Sequence, residues 1–464
     1  MILMARWFGS SGIRGSFDKI SPNFSMKLGI AVGRTFKSSK PAFIASDIRA
    51  TSDILKSSFM SGFSSVSGTI INIGLCPTPV ISYISSSRKN TLGIMITASH
   101  NPPSNNGFKF FFNGGECGEN FEAKVENFLQ DELNRYSKDK MLLQSWKNVG
   151  ISKYEKITSY ISAYTSYILR KIVIRNQDRK VILDCANNVP NLVSPQVLKR
   201  YGFEVSTMNE TLDASFPGRP SEPTSENLTA LKKRVIEENA DIGIAHDGDG
   251  DRFALIDERG NFIHSTTIIN FFVNHLNYSN PDKKKIMLTS DCTSQAFEIA
   301  EKNGAETIVS RIGRNREFVN DRNILFLAEP NKLLFPEFGK WIDGLYPVLK
   351  FLKLSDSREI SKILKPFSKQ KILRKAFNVK DEDKRHVKNI MSSLPDLWSK
   401  RISNISSIDG IKLFFSDKSR LLIRFSGTEP KIKFYIESDS EKKNRDILSE
   451  LKDILNLNTT GIDC

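Results

Sequence analysis

Three short stretches of this chain concentrate residue types suited to phosphate and metal chemistry. In DGDGDR, carboxylates recur at Asp247, Asp249 and Asp251 with glycines between them. Three hard oxygen donors so close repel one another unless a cation sits among them, and glycine lets the backbone curl until they converge. A divalent cation, Mg²⁺, is the expected occupant. An EF-hand is the competing pattern, because Glu258 stands twelfth from Asp247. It is set aside because Arg252 takes the sixth position, where that loop demands glycine, and because a strand-like run precedes the loop. A solvated acidic turn is the plainer alternative.

ITASHNPPSNNGFKF, from Ile96 to Phe110, carries Ser99, His100 and Asn101 just beyond an apolar run. Strand ends of this kind are where a rigid scaffold holds reactive groups. Ser99 has three readings. As a helix cap it competes with Asn101 and Ser104. As a hydrolytic nucleophile beside His100 it lacks a GxSxG elbow. As a phosphate carrier it fits better, since a phosphoserine dianion needs a cation and donors nearby, and DGDGDR supplies both. RFSGTEP sets Arg424 beside Ser426, Gly427 and Thr428, which is either a phosphate cradle or an ordinary turn. GSSGIRG, Gly9 to Gly15, is a further glycine-rich loop holding Arg14.

The elements that must position these groups repeat. Three apolar runs end at an aspartate: AFIASD at Asp47, KVILD at Asp184 and KKIMLTSD at Asp291. Each precedes helical patterning, a second strand-like run (TIINIGLCPTP, FEVSTMN, ETIVSRIG), and a third buried run (TLGIMIT, DIGIAHD, ILFLAE). The third runs lead into ASHNP, DGDGDR and AEPNKLLFPEFGKWIDG. Ligands of open α/β sheets bind beyond the carboxyl ends of the strands, so three facing units would line one cleft. Strands between helical segments near the C-terminus suggest a smaller α+β domain. The expected fold is α/β: three related α/β domains with mixed sheets plus a smaller C-terminal α+β domain around a central cleft. The expected boundaries are 1–150 (ASHNP loop), 151–260 (DGDGDR loop), 261–370 (AEP loop) and 371–464 (SGTEP loop).

Composition narrows the classes. A chain of 464 residues exceeds a single core, and 39% hydrophobic with 26% charged residues describes a folded protein. No apolar run approaches the roughly 20 residues of a membrane span, so no membrane partner is expected. The N-terminus lacks the pattern of a secretory signal, and a cytoplasmic location is expected. Five scattered cysteines without a CxxC pair, and five unpaired histidines, argue against a disulfide framework or a zinc site. The net charge of +15 is spread along the chain, so phosphorylated small molecules, not nucleic acid, are the expected partners.

TASHNP, DGDGDR, the AEP…DG loop and RFSGTEP, with CPTP and FPGRPSEP between them, resemble in order and spacing the motifs of the α-D-phosphohexomutase superfamily. That superfamily includes phosphoglucomutase, phosphomannomutase and phosphoglucosamine mutase. The resemblance spans nearly the whole chain and is strongest to archaeal-type members. It implies an enzyme that interconverts hexose 1-phosphate and hexose 6-phosphate, acting as monomer or homodimer. The route would run through phospho-Ser99 and a sugar 1,6-bisphosphate that serves as both intermediate and activator. Mg²⁺ would be held by Asp247, Asp249, Asp251 and a phosphate oxygen on Ser99. Arg14 and Arg252 would stabilise the moving group, and His100 or Lys109 would move the hydroxyl proton. Glu329 and Asn331 would meet the sugar, while Arg424, Ser426, Gly427 and Thr428 would grip the other phosphate. The chain departs from the family in its sugar loop. Where GExSGH is usual it reads Ala328-Glu329-Pro330-Asn331-Lys332-Leu333; a VGD pattern becomes Ile312-Gly313-Arg314, and a DGxNGxG-like turn becomes Asp184-Cys185-Ala186-Asn187-Asn188. The alternatives are a metal-dependent sugar phosphatase and an inactive sugar-phosphate-binding relative.

Overall fold

Continuous apolar runs without alternation form strands buried on both faces, as central parallel strands are. In the computed structural model, which describes residues 7–9, 11–36, 38, 40–66, 68–134, 149–175, 178–280, 284–314, 317–355, 359–379, 384–426, 431–455 and 462–463, the expected runs become such strands. The chain separates into two compact units, Met1–His264 with Asn331–Ile363, and Ser265–Pro330 with Leu364–Cys464. The four-part division expected from sequence is finer than this, and we retain it as a proposal.

The first unit holds two sheets. The larger comprises β1 (Phe8–Gly9), β2 (Gly12–Ser16), β3 (Ala42–Ser46), β4 (Ile70–Leu75), β5 (Leu92–Ile96), β6 (Asn105–Phe112), β7 (Gly115–Glu116) and β8 (Ser152–Tyr154). Its order is β1-β2-β6-β5-β3-β4-β8, with β7 on β6. The β3, β4 and β5 strands are parallel, whereas β6 runs antiparallel to β5 and places Lys109 opposite Met95. Helices packed on it include α1 (Pro22–Thr35), α2 (Ser52–Ser64) and α3 (Thr78–Ser87). The first begins where Ser21 accepts from Phe24 N (3.2 Å) and Pro22 fills the first helical position. Phe24, Leu28, Phe59, Phe63, Ile94 and Phe108 fill the core beneath. The second sheet is β10-β9-β11-β12-β13, from β9 (Lys180–Asp184), β10 (Glu204–Met208), β11 (Ile242–His246), β12 (Phe253–Ile256) and β13 (Phe262–Ile263).

In the second unit, β14 (Lys285–Thr289) pairs in parallel with β15 (Glu306–Ser310) and β16 (Ile324–Glu329). The short β17 (Lys332–Leu334) lies in the first unit. A six-stranded sheet, β19-β20-β21-β22-β18-β23, follows. Its strands are β18 (Lys371–Asn378), β19 (Ile402–Ser406), β20 (Ile411–Phe415), β21 (Arg420–Phe425), β22 (Lys431–Ser438) and β23 (Ile462–Asp463). The expected α/β architecture with its C-terminal α+β portion is therefore present.

One local expectation needs correction, and one alternative reading of Ser99 falls away. The segment GSSGIRG is not a loop: Phe8–Gly9 and Gly12–Ser16 pair antiparallel, and β2 continues onto β6. The reason is close backbone approach, since a Cβ on Gly12 (φ +82°) would stand 2.1 Å from Phe108 O. The ASHNP segment joins strand to strand, β5 to β6, so no helix follows for Ser99 to cap.

Candidate active site

Because β5 and β11 both end in polar loops within the first unit, their carboxyl ends bring the expected groups together. Ser99, 1% exposed and in left-handed backbone (φ +53°), donates from Oγ to Asp247 Oδ2 at 2.7 Å. Asp247, Asp249 and Asp251 are buried, and one oxygen from each lies within 4.8 Å of the others. Lys109, aimed from β6, donates to Asp249 Oδ2 (2.6 Å) and Asp251 Oδ2 (2.5 Å). Thr78, the first residue of α3, donates through its hydroxyl to Asp249 Oδ2 (2.5 Å) and through its N–H to Asp249 O (2.8 Å). The helix N-terminus adds a favourable dipole there.

The titration behaviour follows from these contacts. Burial, reinforced by Asp249 and Asp251, holds Asp247 well above the usual carboxylate range. Burial opposes ionisation of Asp249 too, but Lys109, Thr78 and Arg14 outweigh it and hold that carboxyl below its ordinary value. Lys109 is the mirror case, in which Asp249 and Asp251 overcome burial and raise the ammonium. Burial, then Arg252, Arg14, Lys332 and Lys109, keep His100 well below the ordinary imidazole value and hence neutral. Its Nδ1 lies 3.4 Å from Ser99 Oγ and 3.5 Å from Glu222 Oε2, while Arg252 donates to both oxygens of Glu222 (2.8 and 2.9 Å). Burial and the neighbouring Arg252 lower Arg14, whose buried Nε has no hydrogen-bond partner among the described residues.

Asp249 Oδ1 and Asp251 Oδ1 are likewise buried and without hydrogen-bond partners among the described residues. Unpaired buried carboxylate oxygens are costly unless a cation takes them. The donor set, all oxygen and anionic, suits a hard divalent ion. Once a cation offsets the carboxylates, the unpartnered Arg14 donor beside them suits a phosphate oxygen.

Three protein-family models match the chain: phosphoglucomutase/phosphomannomutase α/β/α domain I at residues 5–135, α/β/α domain II at 158–260, and the C-terminal domain at 375–454. A phosphopentomutase of Thermococcus kodakarensis is 34% identical over 452 residues, 96% of this chain and 96% of its own. The chain belongs to the α-D-phosphohexomutase superfamily. A probable phosphoglucosamine mutase of Methanococcoides burtonii is 31% identical over 93% of this chain and 95% of its own. A phosphoglucomutase/phosphomannomutase family protein of Burkholderia thailandensis shares the fold at a TM-score of 0.83 and 20% identity, covering 97% of this chain and 98% of that one. Membership makes this chain a phosphosugar mutase, an isomerase of the intramolecular phosphotransferase class.

The remaining expected residues of this mutase divide between the units. Asn331, in left-handed backbone (φ +69°), belongs to the first, whereas Glu329, Arg424 and Ser426 belong to the second. Glu329 ends β16 and accepts from Gly313 N at 2.7 Å, so the altered Ile312-Gly313-Arg314 turn still braces the glutamate. Arg424 on β21 pairs with Asp409 (3.1 Å), and Ser426 N donates to Lys431 O (2.8 Å). Gly427 and Thr428 lie outside the described residues.

Sequence reasoning did not single out Thr78, Glu222 or Arg49. Thr78 and Glu222 sit within CPTP and FPGRPSEP, whose prolines mark turns but assign no chemistry. Arg49 had one signal, its place two residues after the strand-ending Asp47.

Proposed function

We propose that this mutase interconverts a hexose 1-phosphate and a hexose 6-phosphate through phospho-Ser99. The observation that carries this is Ser99 Oγ held 2.7 Å from Asp247 among the acidic cluster, with His100 beside the serine, Lys109 bonded to Asp249 and Asp251, and Arg14 within reach of the charge of both carboxylates. Asp247, Asp249, Asp251 and a phosphate oxygen on Ser99 would hold Mg²⁺, which when bound offsets charge on the transferring phosphoryl group. The bond from Ser99 Oγ to phosphorus breaks as a bond from a sugar hydroxyl oxygen to phosphorus forms. Neutral His100 accepts the hydroxyl proton and passes it to Ser99 Oγ. Lys109, kept charged by its aspartates, donates hydrogen bonds and neutralises. Arg14 and Arg252 bind equatorial phosphate oxygens. The resulting sugar 1,6-bisphosphate turns over and returns its other phosphate to Ser99 by the same steps reversed. Glu329 and Asn331 would meet the sugar, and Arg424, Ser426, Gly427 and Thr428 the idle phosphate.

A pentose 1-phosphate is the second substrate reading. It is favoured by the relative named phosphopentomutase together with the divergent Asn331-Lys332-Leu333 segment, where Lys332 replaces a small residue. The deciding assay supplies glucose, mannose, glucosamine and ribose 1-phosphates with Mg²⁺ and a trace of sugar bisphosphate, followed by phosphorus NMR. Appearance of a terminal phosphate ester is expected, and the rate order names the sugar. Release of inorganic phosphate without isomerisation would replace mutase by phosphatase. Bisphosphate binding without turnover would mark an inactive relative.

A further inference from the structure

Arg49 is 2% exposed and spends its guanidinium on one loop. Its Nη2 donates to the carbonyl oxygens of Ser99 (2.8 Å) and Asn101 (2.7 Å), and its Nη1 to those of Pro102 (2.5 Å) and Asn105 (2.8 Å). Its Nε donates to Asp47 Oδ2 at 3.0 Å, and its face lies 5.2 Å from the Phe216 ring centre. Asp47 also accepts from Thr97 Oγ1 (2.8 Å), which in turn accepts from Ser99 N (2.8 Å). The N–H and the C=O of Ser99 therefore both lead back to the same buried Asp47–Arg49 pair. Left-handed backbone is unfavourable for serine and persists only where its surroundings dictate it. Four carbonyls converging on one buried side chain need several fixed donors, which a planar guanidinium offers and an ammonium does not.

The second sheet repeats the device. Arg219 donates from Nε to Asp184 Oδ2 (2.8 Å) and from Nη2 to the carbonyl of His246 (2.6 Å), the residue before Asp247. Asp47 and Asp184 thus each anchor an arginine that donates to the backbone of, or next to, a loop bearing reacting groups.

We propose that Arg49 is a positioning residue for phosphoryl transfer: it fixes the Ser99–Asn105 loop so that Ser99 Oγ faces Asp247. The proposal rests on the phosphoserine role of Ser99, and its test separates the two. In full-length Arg49→Lys, amide hydrogen exchange over residues 97–106 should quicken at least about tenfold while β9 and β11 keep wild-type rates. Transfer from a sugar bisphosphate to Ser99, read by intact mass, should slow roughly a hundredfold with KM within about threefold of wild type. In Arg49→Ala, dilute guanidinium should restore part of that rate and urea should not; if this variant fails to fold, the lysine variant alone decides. Unchanged loop exchange, a lysine variant transferring at the wild-type rate, or equal effects of guanidinium and urea would each overturn the proposal. Should wild type never phosphorylate Ser99, the phosphoserine reading fails, and the exchange rates alone decide whether Arg49 positions the loop.

Discussion

Ser99 Oγ and Asp247 Oδ2 are 148 positions apart in the chain and 2.7 Å apart in space, which ties the serine to the acidic cluster. Replacing Ser99 with alanine removes the atom proposed to carry phosphate, so turnover should fall by roughly three orders of magnitude or more while the far-ultraviolet dichroism and melting profile stay unchanged. Near-normal turnover would remove Ser99 from the mechanism. Asp249→Asn takes one anionic oxygen from the cluster, and calorimetry should show Mg²⁺ binding weakened at least about tenfold. Equal affinity in the variant would place the ion elsewhere. The three aspartates were legible because carboxylates alternating with glycines point to a cation, and the structure buries all three within reach of one ion. Thr78, Glu222 and Arg49 were not, because a lone threonine, glutamate or arginine in a turn acquires a role only from what the fold places beside it.

At the scale of elements, the buried runs β3, β5, β9, β11, β14 and β16 stood out as strands because burial on both faces leaves a continuous apolar signature. The Gly9–Gly15 hairpin did not, because glycine and serine carry no strand preference and only the neighbouring β6 makes them one. That pairing predicts that Gly12→Ala, forced to φ +82° against Phe108 O, destabilises the first unit by about 1–3 kcal/mol in urea titration. A loss below a few tenths would mean the two strands part without cost. Ser21→Ala, which removes the cap on α1, should cost about 1 kcal/mol in the same titration.

Across the whole molecule, burial governs the thiols and phenols. Cys76, Cys117, Cys185 and Cys292 are buried, and burial pushes Cys76 and Cys292 from 9.0 up to about 12. Burial likewise takes Tyr167 and Tyr201 from 10.0 to about 12. In each case the native state keeps a proton that the unfolded chain has released, so the contribution to stability is intact below about pH 9 and lost progressively toward pH 12. The urea midpoint at pH 10.5 should therefore fall below that at pH 8, and a flat profile would contradict the burial of these groups. Iodoacetamide at pH 8 should leave Cys76 and Cys292 unmodified in native protein, whereas urea should expose both. Among the described residues no helix is long and apolar enough to cross a membrane.

From sequence alone came the three-fold repeat and the order of the chemical motifs, which are written in local residue type and spacing, and, through the family resemblance those motifs carry, the superfamily and the departure at Asn331-Lys332-Leu333. Tertiary structure decided which carboxylate faces Ser99, why His100 is neutral while Lys109 stays charged, and what holds the serine in left-handed backbone. Those depend on distances and burial between β5, β6, β11 and α3, segments far apart in the chain, and charge interactions inside a protein are set by such distances and by the exclusion of water.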